Sequence, residues 1–301
     1  MNRLFLTISL AAASLALAAT TPAQCPPQKP QPEPQQPQQM PPPAARATQM
    51  REVLAIKYPE SESVEVRLRG TERLPTASGE ARVERQGTNT EIALNLDEMK
   101  AASRFGGDFN TYVLWTISPE GKAASLGEVI LEGNSADLEA TTPLNSFALI
   151  ITAEPHFAVH KPSHFVVLES IWPTEEGVLA RVWPGKPHLK AELFGVEYEG
   201  FQREYAYDWE TLTQAPEPRT TERSEMAQAR TAIELAERAG ADQQQLARAR
   251  QKFDEAQKAA AAADSDENDQ ARDLAREAVR IAAEAQRMAE ESSPAASRRK
   301  P

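Results

Sequence analysis

Two hydrophobic periods divide this chain. In a region that runs from about Val53 to Thr213, short stretches alternate apolar with polar positions, and after Arg219 apolar positions recur at intervals of three and four residues. The first period sets successive side chains on opposite faces of a strand; the second sets them along one face of a helix. The strongest alternation lies in Phe109–Ser118. There Tyr112, Leu114 and Thr116 point one way, and Phe109, Thr111, Val113, Trp115 and Ile117 the other. Nearly all are apolar or bulky, so the pattern predicts a strand covered on both faces, central rather than at an edge.

Turn residues break the alternation at short intervals. Ser118-Pro-Glu-Gly121 ends the central strand, with Pro setting φ at its second position and Gly permitting positive φ at its fourth. Leu126–Leu131 is a second strand, Gly133-Asn-Ser135 a second turn, and Leu138–Thr142 and Phe147–Ile151 are two more strands. Upstream, Val64–Leu68, Ala81–Val83 and Ile92–Leu96 alternate, with Gln86-Gly-Thr-Asn89 as the hairpin link between the last two. Met99–Phe105 reads as one helical turn, and Phe165–Leu168 as a last short strand. Short strands at regular spacing predict an all-β sandwich over residues 45–170. Val178–Trp183 and Leu189–Leu193 flank Pro184-Gly-Lys-Pro187 and predict a β-hairpin extension over 171–215.

The helical period predicts three helices over residues 219–291, arranged antiparallel because the links are short. The sets Met226–Ala229–Ile233–Ala236, Leu246–Ala249–Phe253–Ala256–Ala260–Ala263 and Ala271–Leu274–Ala278–Ile281–Ala285–Met288 are seam positions. Leu246, Phe253, Leu274 and Ile281 are the large side chains expected to carry helix–helix interaction. Gly240 suits a left-handed C-cap, and Asp242 with Gln245 suits a capping box. Asp264-Ser-Asp266 turns the chain into the third helix. Alanine at so many seam positions allows close approach but buries little area, so the module is expected to be thin. Residues 292–301 form a polar, basic tail.

The N-terminal stretch changes where the protein is expected to reside. Residues 1–23 carry Arg3 followed by an apolar run, Leu4–Ala19, which is short for a membrane span and ends in small residues. This is the form of a secretory signal peptide, the other reading being an uncleaved anchor. Residues 24–44 are dominated by Pro and Gln and make an extended spacer unable to bury a core. Cys25 is the single cysteine, which rules out a disulfide within the chain. It sits between an apolar run and a polar linker, as the lipidated cysteine of bacterial lipoproteins does. Gln24 and Pro22, however, stand where such a site calls for a small residue and Leu. The other reading is an incidental thiol.

Charge narrows the partners. The formal net charge is −11; the N-terminal stretch and the helical region nearly balance, so the excess falls on the β-region. Nucleic-acid binding needs clustered Lys and Arg, and anionic membranes repel the same acids, so neither partner is expected. Membrane attachment is expected only through a lipid on Cys25.

Candidate chemistry is sparse. His156 and His160 share a strand face with Glu154 within reach, but Pro155 and Pro162 deny a helix, and solvated loop histidines are the ordinary reading. Trp172, Trp183 and Trp209 are of the type that stacks on sugar rings, though such residues more often pack in cores. Asp208 and Glu210 share a face and make a carboxylate pair of the kind glycoside hydrolysis uses. No nucleophile elbow, phosphate-binding loop or dinucleotide fingerprint occurs. No catalytic, cofactor-binding or metal residue is therefore expected.

Two stretches resemble known families. Tyr112-Val-Leu-Trp-Thr-Ile117, Pro119-x-Gly121-Lys122 and Ser125-Leu-Gly127 resemble the extracytoplasmic sandwich of anti-sigma-K-type factors. They resemble more closely a β-domain of bacterial envelope proteins found beside OmpA-like modules. The likeness covers about residues 60–170 and implies a small non-enzymatic sandwich outside the cytoplasm. The sigma-binding part and membrane helix of the anti-sigma families have no counterpart here. Ala229-Arg-Thr-Ala232 with Ala239-Gly240, Leu246-Ala-Arg-Ala-Arg250 and Asp269-Gln-Ala-Arg-Asp-Leu-Ala-Arg276 resemble an uncharacterised family of Ala-, Glu- and Arg-rich helical domains in bacterial envelope lipoproteins. That likeness covers about residues 224–290. Together these readings predict a non-enzymatic structural or interaction component of the cell envelope, periplasmic or outer-membrane-associated. Its expected partners are other envelope proteins, or itself, through the C-terminal helices. The rival readings are an enzyme or binding module acting on cell-wall carbohydrate and an anti-sigma-like sensory ectodomain.

Overall fold

The computed structural model describes residues 50–106, 109–171, 192–199, 224–262 and 269–292, with backbone alone for 50–52 and 192–199. The chain divides into two compact units, Met1–Ala45 and Arg46–Pro301; all described residues belong to the second. The signal peptide, Cys25, the Pro/Gln spacer, Trp172, the hairpin at 178–187 with Trp183, Asp208, Trp209, Glu210, Ala263, the turn at 264–266 and residues 293–301 of the tail lie outside the described residues, while Ser292 ends a helix.

Among the described residues ten antiparallel strands come first. They are β1 (Met50–Lys57), β2 (Ser63–Gly70), β3 (Ser78–Gln86), β4 (Asn89–Asp97), β5 (Thr111–Ile117), β6 (Ala123–Val129), β7 (Ala136–Thr142), β8 (Ser146–Glu154), β9 (Val166–Ser170) and β10 (Glu192–Glu199). A one-turn 3-10 helix, Ala102–Phe105, precedes β5. All ten belong to one sheet. Its spine runs β6-β5-β8-β9-β2-β3-β4-β7, and the hairpin of β6 and β7 brings its two ends together, so the sheet nearly closes on itself. β8 makes this possible. One edge pairs with β5 from Thr111↔Glu154 to Ile117↔Ala148; the other is shared between β1, at Ser146–Ala148, and β9, at Ile150–Thr152.

All seven residues of β5 are buried, as its two-sided apolar pattern demands. Tyr112 and Leu114 face the main core with Val66, Leu94, Phe147 and Leu149. Val113, Trp115 and Ile117 face a second cluster with Val53, Ala55 and Ile150. The predicted turns form as expected: the Gly121 N–H donates to the Ser118 carbonyl, and Glu132 and Ser135 exchange backbone bonds.

Two strands depart from the sequence reading. Val53–Ile56 is a continuous apolar run that gave no period, yet β1 forms there because both of its faces are covered. The extension expected over 171–215 is described only at β10, which pairs along its whole length with β1 and so joins the main sheet.

Among the described residues three helices follow: α1 (Ser224–Arg238), α2 (Gln243–Ala262) and α3 (Asp269–Ser292). α1 stops at Gly240, whose φ of 77° is open to glycine at no steric cost. The Ala241 N–H reaches the Ala236 carbonyl and the Gly240 N–H the Glu237 carbonyl, the paired bonds of a Schellman end. Asp242 then caps α2, its Oδ1 accepting from the N–H groups of Gln244 and Gln245. Lys252 on α2 meets Glu277 on α3 at 3.1 Å, residues on either side of the link at similar distances from it, which is the register of an antiparallel pair.

The helical core is mostly alanine. Leu246 is buried; Phe253, Leu274 and Ile281 are half-buried and pack against that core. Met288, expected in the seam of α3, is 53% exposed. The reason is that α3 packs against two helices and a β-domain loop at once. Its buried arc therefore centres on Ala271, Ala275, Ala278, Ala282 and Ala285, with Val279 and Ala283 on its flank. The large residues are left along one border, and Met288 falls outside it. No described helix is long and apolar enough to cross a membrane.

Candidate functional site

The polar residues that the fold gathers most densely lie where the helices meet the β-domain. They come from four places: the end of β8 with the loop after it, the residues before β5, β6, and the facing sides of α1 and α3.

The β8–β9 loop is anchored from below. Pro155 halts the pairing of β8, and the carboxylate before it is turned inward. Glu154, 2% exposed, accepts at Oε1 from the Thr152 hydroxyl at 2.5 Å and from the Ser163 N–H at 2.6 Å. The Trp115 indole N–H donates to Thr152 Oγ1 at 2.8 Å. Ser163 also donates to the Ala153 carbonyl and accepts from the Phe165 N–H. A buried carboxylate persists only when such bonds replace its hydration. This network closes the loop at its base and ties it to the central strand.

The loop's tip enters the helical module. Phe157 and Ala158 pack into the helical core. The Phe157 N–H donates to Oε1 of Gln228 at 2.9 Å. The Arg276 guanidinium lies 4.0 Å from the ring centroid of Phe157, and that of Arg280 5.6 Å from it; both sit within the range where the ring quadrupole attracts a cation.

Gln228 of α1 and Glu128 of β6 form the centre. Gln228 is fully buried. Its amide nitrogen donates to Glu128 Oε1 at 2.7 Å and to Ser224 Oγ at 3.2 Å. Glu128 Oε1 also accepts from the Thr111 hydroxyl at 2.8 Å, while its Oε2 pairs with Arg276. The Glu128 side chain is 7% exposed, so its two oxygens are satisfied almost wholly by protein. Beside it, Asn110 donates to the Pro155 carbonyl and to Thr231 Oγ1, and its own carbonyl accepts from Ser224. At the far end His160 faces Glu290 of α3 at 3.5 Å. The hydrogen bond from His160 is the main reason the Glu290 carboxyl titrates below its ordinary range; a second comes from Gln286, and the nearby His160 and Lys161 charges add to them.

A cavity of about 60 Å³ lies within this end of the joint, lined by Glu154, His156, His160, Gln286 and Glu290 among others. The sequence placed Glu154, His156 and His160 near one another, and the fold does so too. Their directions differ: Glu154 is bonded to Thr152 and Ser163, and His160 turns to α3. Among the described residues no three His, Cys, Asp or Glu side chains are grouped to hold a metal ion.

Sequence reasoning did not single out Glu128, Gln228, Asn110 or Arg276. One signal was present in α1. Ser224, Gln228 and Thr231 form an uncharged polar stripe at i, i+4 and i+7 in a helix otherwise dotted with charges, and it is this stripe that faces the β-domain. Compared with family models, curated proteins and solved structures, the chain matches none.

Proposed function

We propose that the protein is a non-enzymatic structural or interaction component of the bacterial cell envelope. In this reading the Pro/Gln spacer of residues 24–44 separates the folded body from the membrane, to which a lipid on Cys25 ties it. The helices form an arm for other envelope proteins or for a second copy. The observation that carries the reading is the use to which the buried polar groups are put. Glu128 and Gln228 make short bonds between the helices and the sheet, and Glu154 anchors the base of the loop that enters the helices, so these groups hold two modules in a fixed relation. A reaction centre instead keeps an acid or base open to a substrate atom. The outward side of α2, where Arg248, Asp254 and Gln257 are exposed, is then presented at a constant angle to the sheet.

Site-specific photo-crosslinking in intact cells tests this. A photoreactive residue at Arg248 or Gln257 is expected to give a discrete protein adduct in the envelope fraction, which the same probe at Glu91 on the sheet does not. Release of soluble sugar fragments from purified cell-wall material by the protein would overturn the non-enzymatic reading. Full-length protein confined to the cytosol would overturn the envelope reading.

A further inference from the structure

The corner where β6 turns into β7 is a surface of another kind. Ile130 stands there 61% exposed, directly after the buried Val129. It borders a groove of about 250 Å³ between Ala101–Ser103, Val129–Leu131 and the first turn of α1. The corner is held firmly: Glu132 and Ser135 exchange backbone bonds, and the Met99 N–H donates to the Asn134 carbonyl. Ile130 is thus presented by a fixed turn.

Carboxylates cluster on the β-domain side of it. Asp97 ends β4 and Glu98 follows it, and Met99 beside them is bonded to the turn. Glu132 lies in the turn itself. Asp137 opens β7 and accepts from Asn95 at 2.5 Å, and Glu225 stands across the groove on α1. Strands β4, β6 and β7 contain no Lys or Arg. Lys100 and Arg104 flank the opposite wall, Ala101–Ser103. A single exposed Ile is ordinary. An exposed Ile on a groove, with a rim of carboxylates on its β-domain side, has the anatomy of an interface with an apolar anchor and a charged border.

We propose that this corner docks an extended basic segment of a partner protein. An apolar side chain of that segment fills the groove against Ile130, and flanking Lys or Arg residues meet Glu98, Glu132 and Asp137. Charge complementarity selects this occupant over nucleic acid or an anionic membrane, both of which the rim repels. The chain's own basic run, Arg298–Lys300, has the right sign but no apolar anchor, which makes a second copy the rival occupant. The groove backs onto Asn110, Glu128 and Ser224 of the joint, while Ile130 itself takes no part in that network; the proposal does not depend on where the protein resides.

Fluorescence anisotropy at low salt tests this with the full chain and three labelled synthetic hexapeptides. The first is Lys-Lys-Ala-Leu-Lys-Lys; the second has Ser for Leu; the third has Glu for every Lys. The first peptide is expected to bind, with affinity falling about tenfold for the Ser peptide and for Ile130→Ser. Glu132→Gln combined with Asp137→Asn is expected to weaken binding and flatten its salt dependence, and the Glu peptide is expected not to bind. Because Ile130 is exposed, the variant should keep its urea midpoint; Ile130→Lys, which adds like charge, gives a second readout. Equal binding of the first peptide to wild type and Ile130→Ser overturns the proposal. So does binding of the Glu peptide, or no saturation by about 1 mM. A dimer lost both in Ile130→Ser and on deleting Arg298–Lys300 would assign the corner to a second copy instead and overturn the partner proposal.

Discussion

Arg276 covers the ring of Phe157 at 4.0 Å and at the same time pairs with Glu128 of β6. One side chain of α3 therefore clamps the loop after β8 and reaches the strand beside β5. Phe157→Ala removes the ring from beneath two guanidinium groups and from the helical core. For a half-buried ring the loss should be roughly 2 kcal/mol. Hydrogen exchange is expected to speed up in α1 and α3 and to stay unchanged in β2–β4; uniform acceleration would mean that the loop supports the sheet rather than the joint.

Within the helices, burial sets the order of sensitivity. Leu246 is 1% exposed, and its truncation to Ala should cost about 3 kcal/mol. Phe253 is larger but only half-buried, so Phe253→Ala should cost less, roughly 1–2 kcal/mol. Circular dichroism melts of the two variants check the ranking, and a larger loss for Phe253 would contradict this packing.

Much of the architecture was legible because local chemistry and tertiary demand agree. The two-sided pattern of Thr111–Ile117 required a strand with neighbours on both edges, and Gly121 and Gly240 marked chain reversals that only a few geometries satisfy. β1 was not legible, since the run Val53–Ile56 has no period to distinguish strand from helix. The joint was hidden for another reason. Glu128 and Arg276 lie 148 residues apart, and a Glu on a strand or an Arg on a helix reads as solvated unless its partner is known. Alternation carries no information about such pairs. Only the uncharged stripe of Ser224, Gln228 and Thr231 hinted that a polar face of α1 was covered.

The joint should weaken in acid. The Glu290 carboxyl is held below its ordinary value by His160 first and Gln286 second. A carboxyl lowered in the folded state stabilises fully above its unfolded pKa, and that contribution is lost as pH falls through the folded one. Urea midpoints should therefore drop below about pH 4, and Glu290→Gln should reduce that drop. An unchanged acid limb in the variant would show that His160 and Glu290 do not act together.

Location has its own test. The mature protein should appear in the periplasmic or membrane fraction, shortened by roughly two dozen residues. If Cys25 carries lipid, Cys25→Ala shifts the protein from the membrane to the soluble fraction. An identical distribution of the two forms would rule out the lipid anchor.

The account stands on Glu128 and Arg276 holding helices and sheet as one body, and a double-mutant cycle measures this directly. Glu128→Gln and Arg276→Gln should each destabilise the protein, by about 3 kcal/mol for the variant that leaves a buried charge unpaired. The double variant should fall short of the sum by more than about 1 kcal/mol, with α1 and α3 exchanging faster than β2–β4 in all three. Effects that add to within about 0.5 kcal/mol, with helix exchange unaltered, would contradict it.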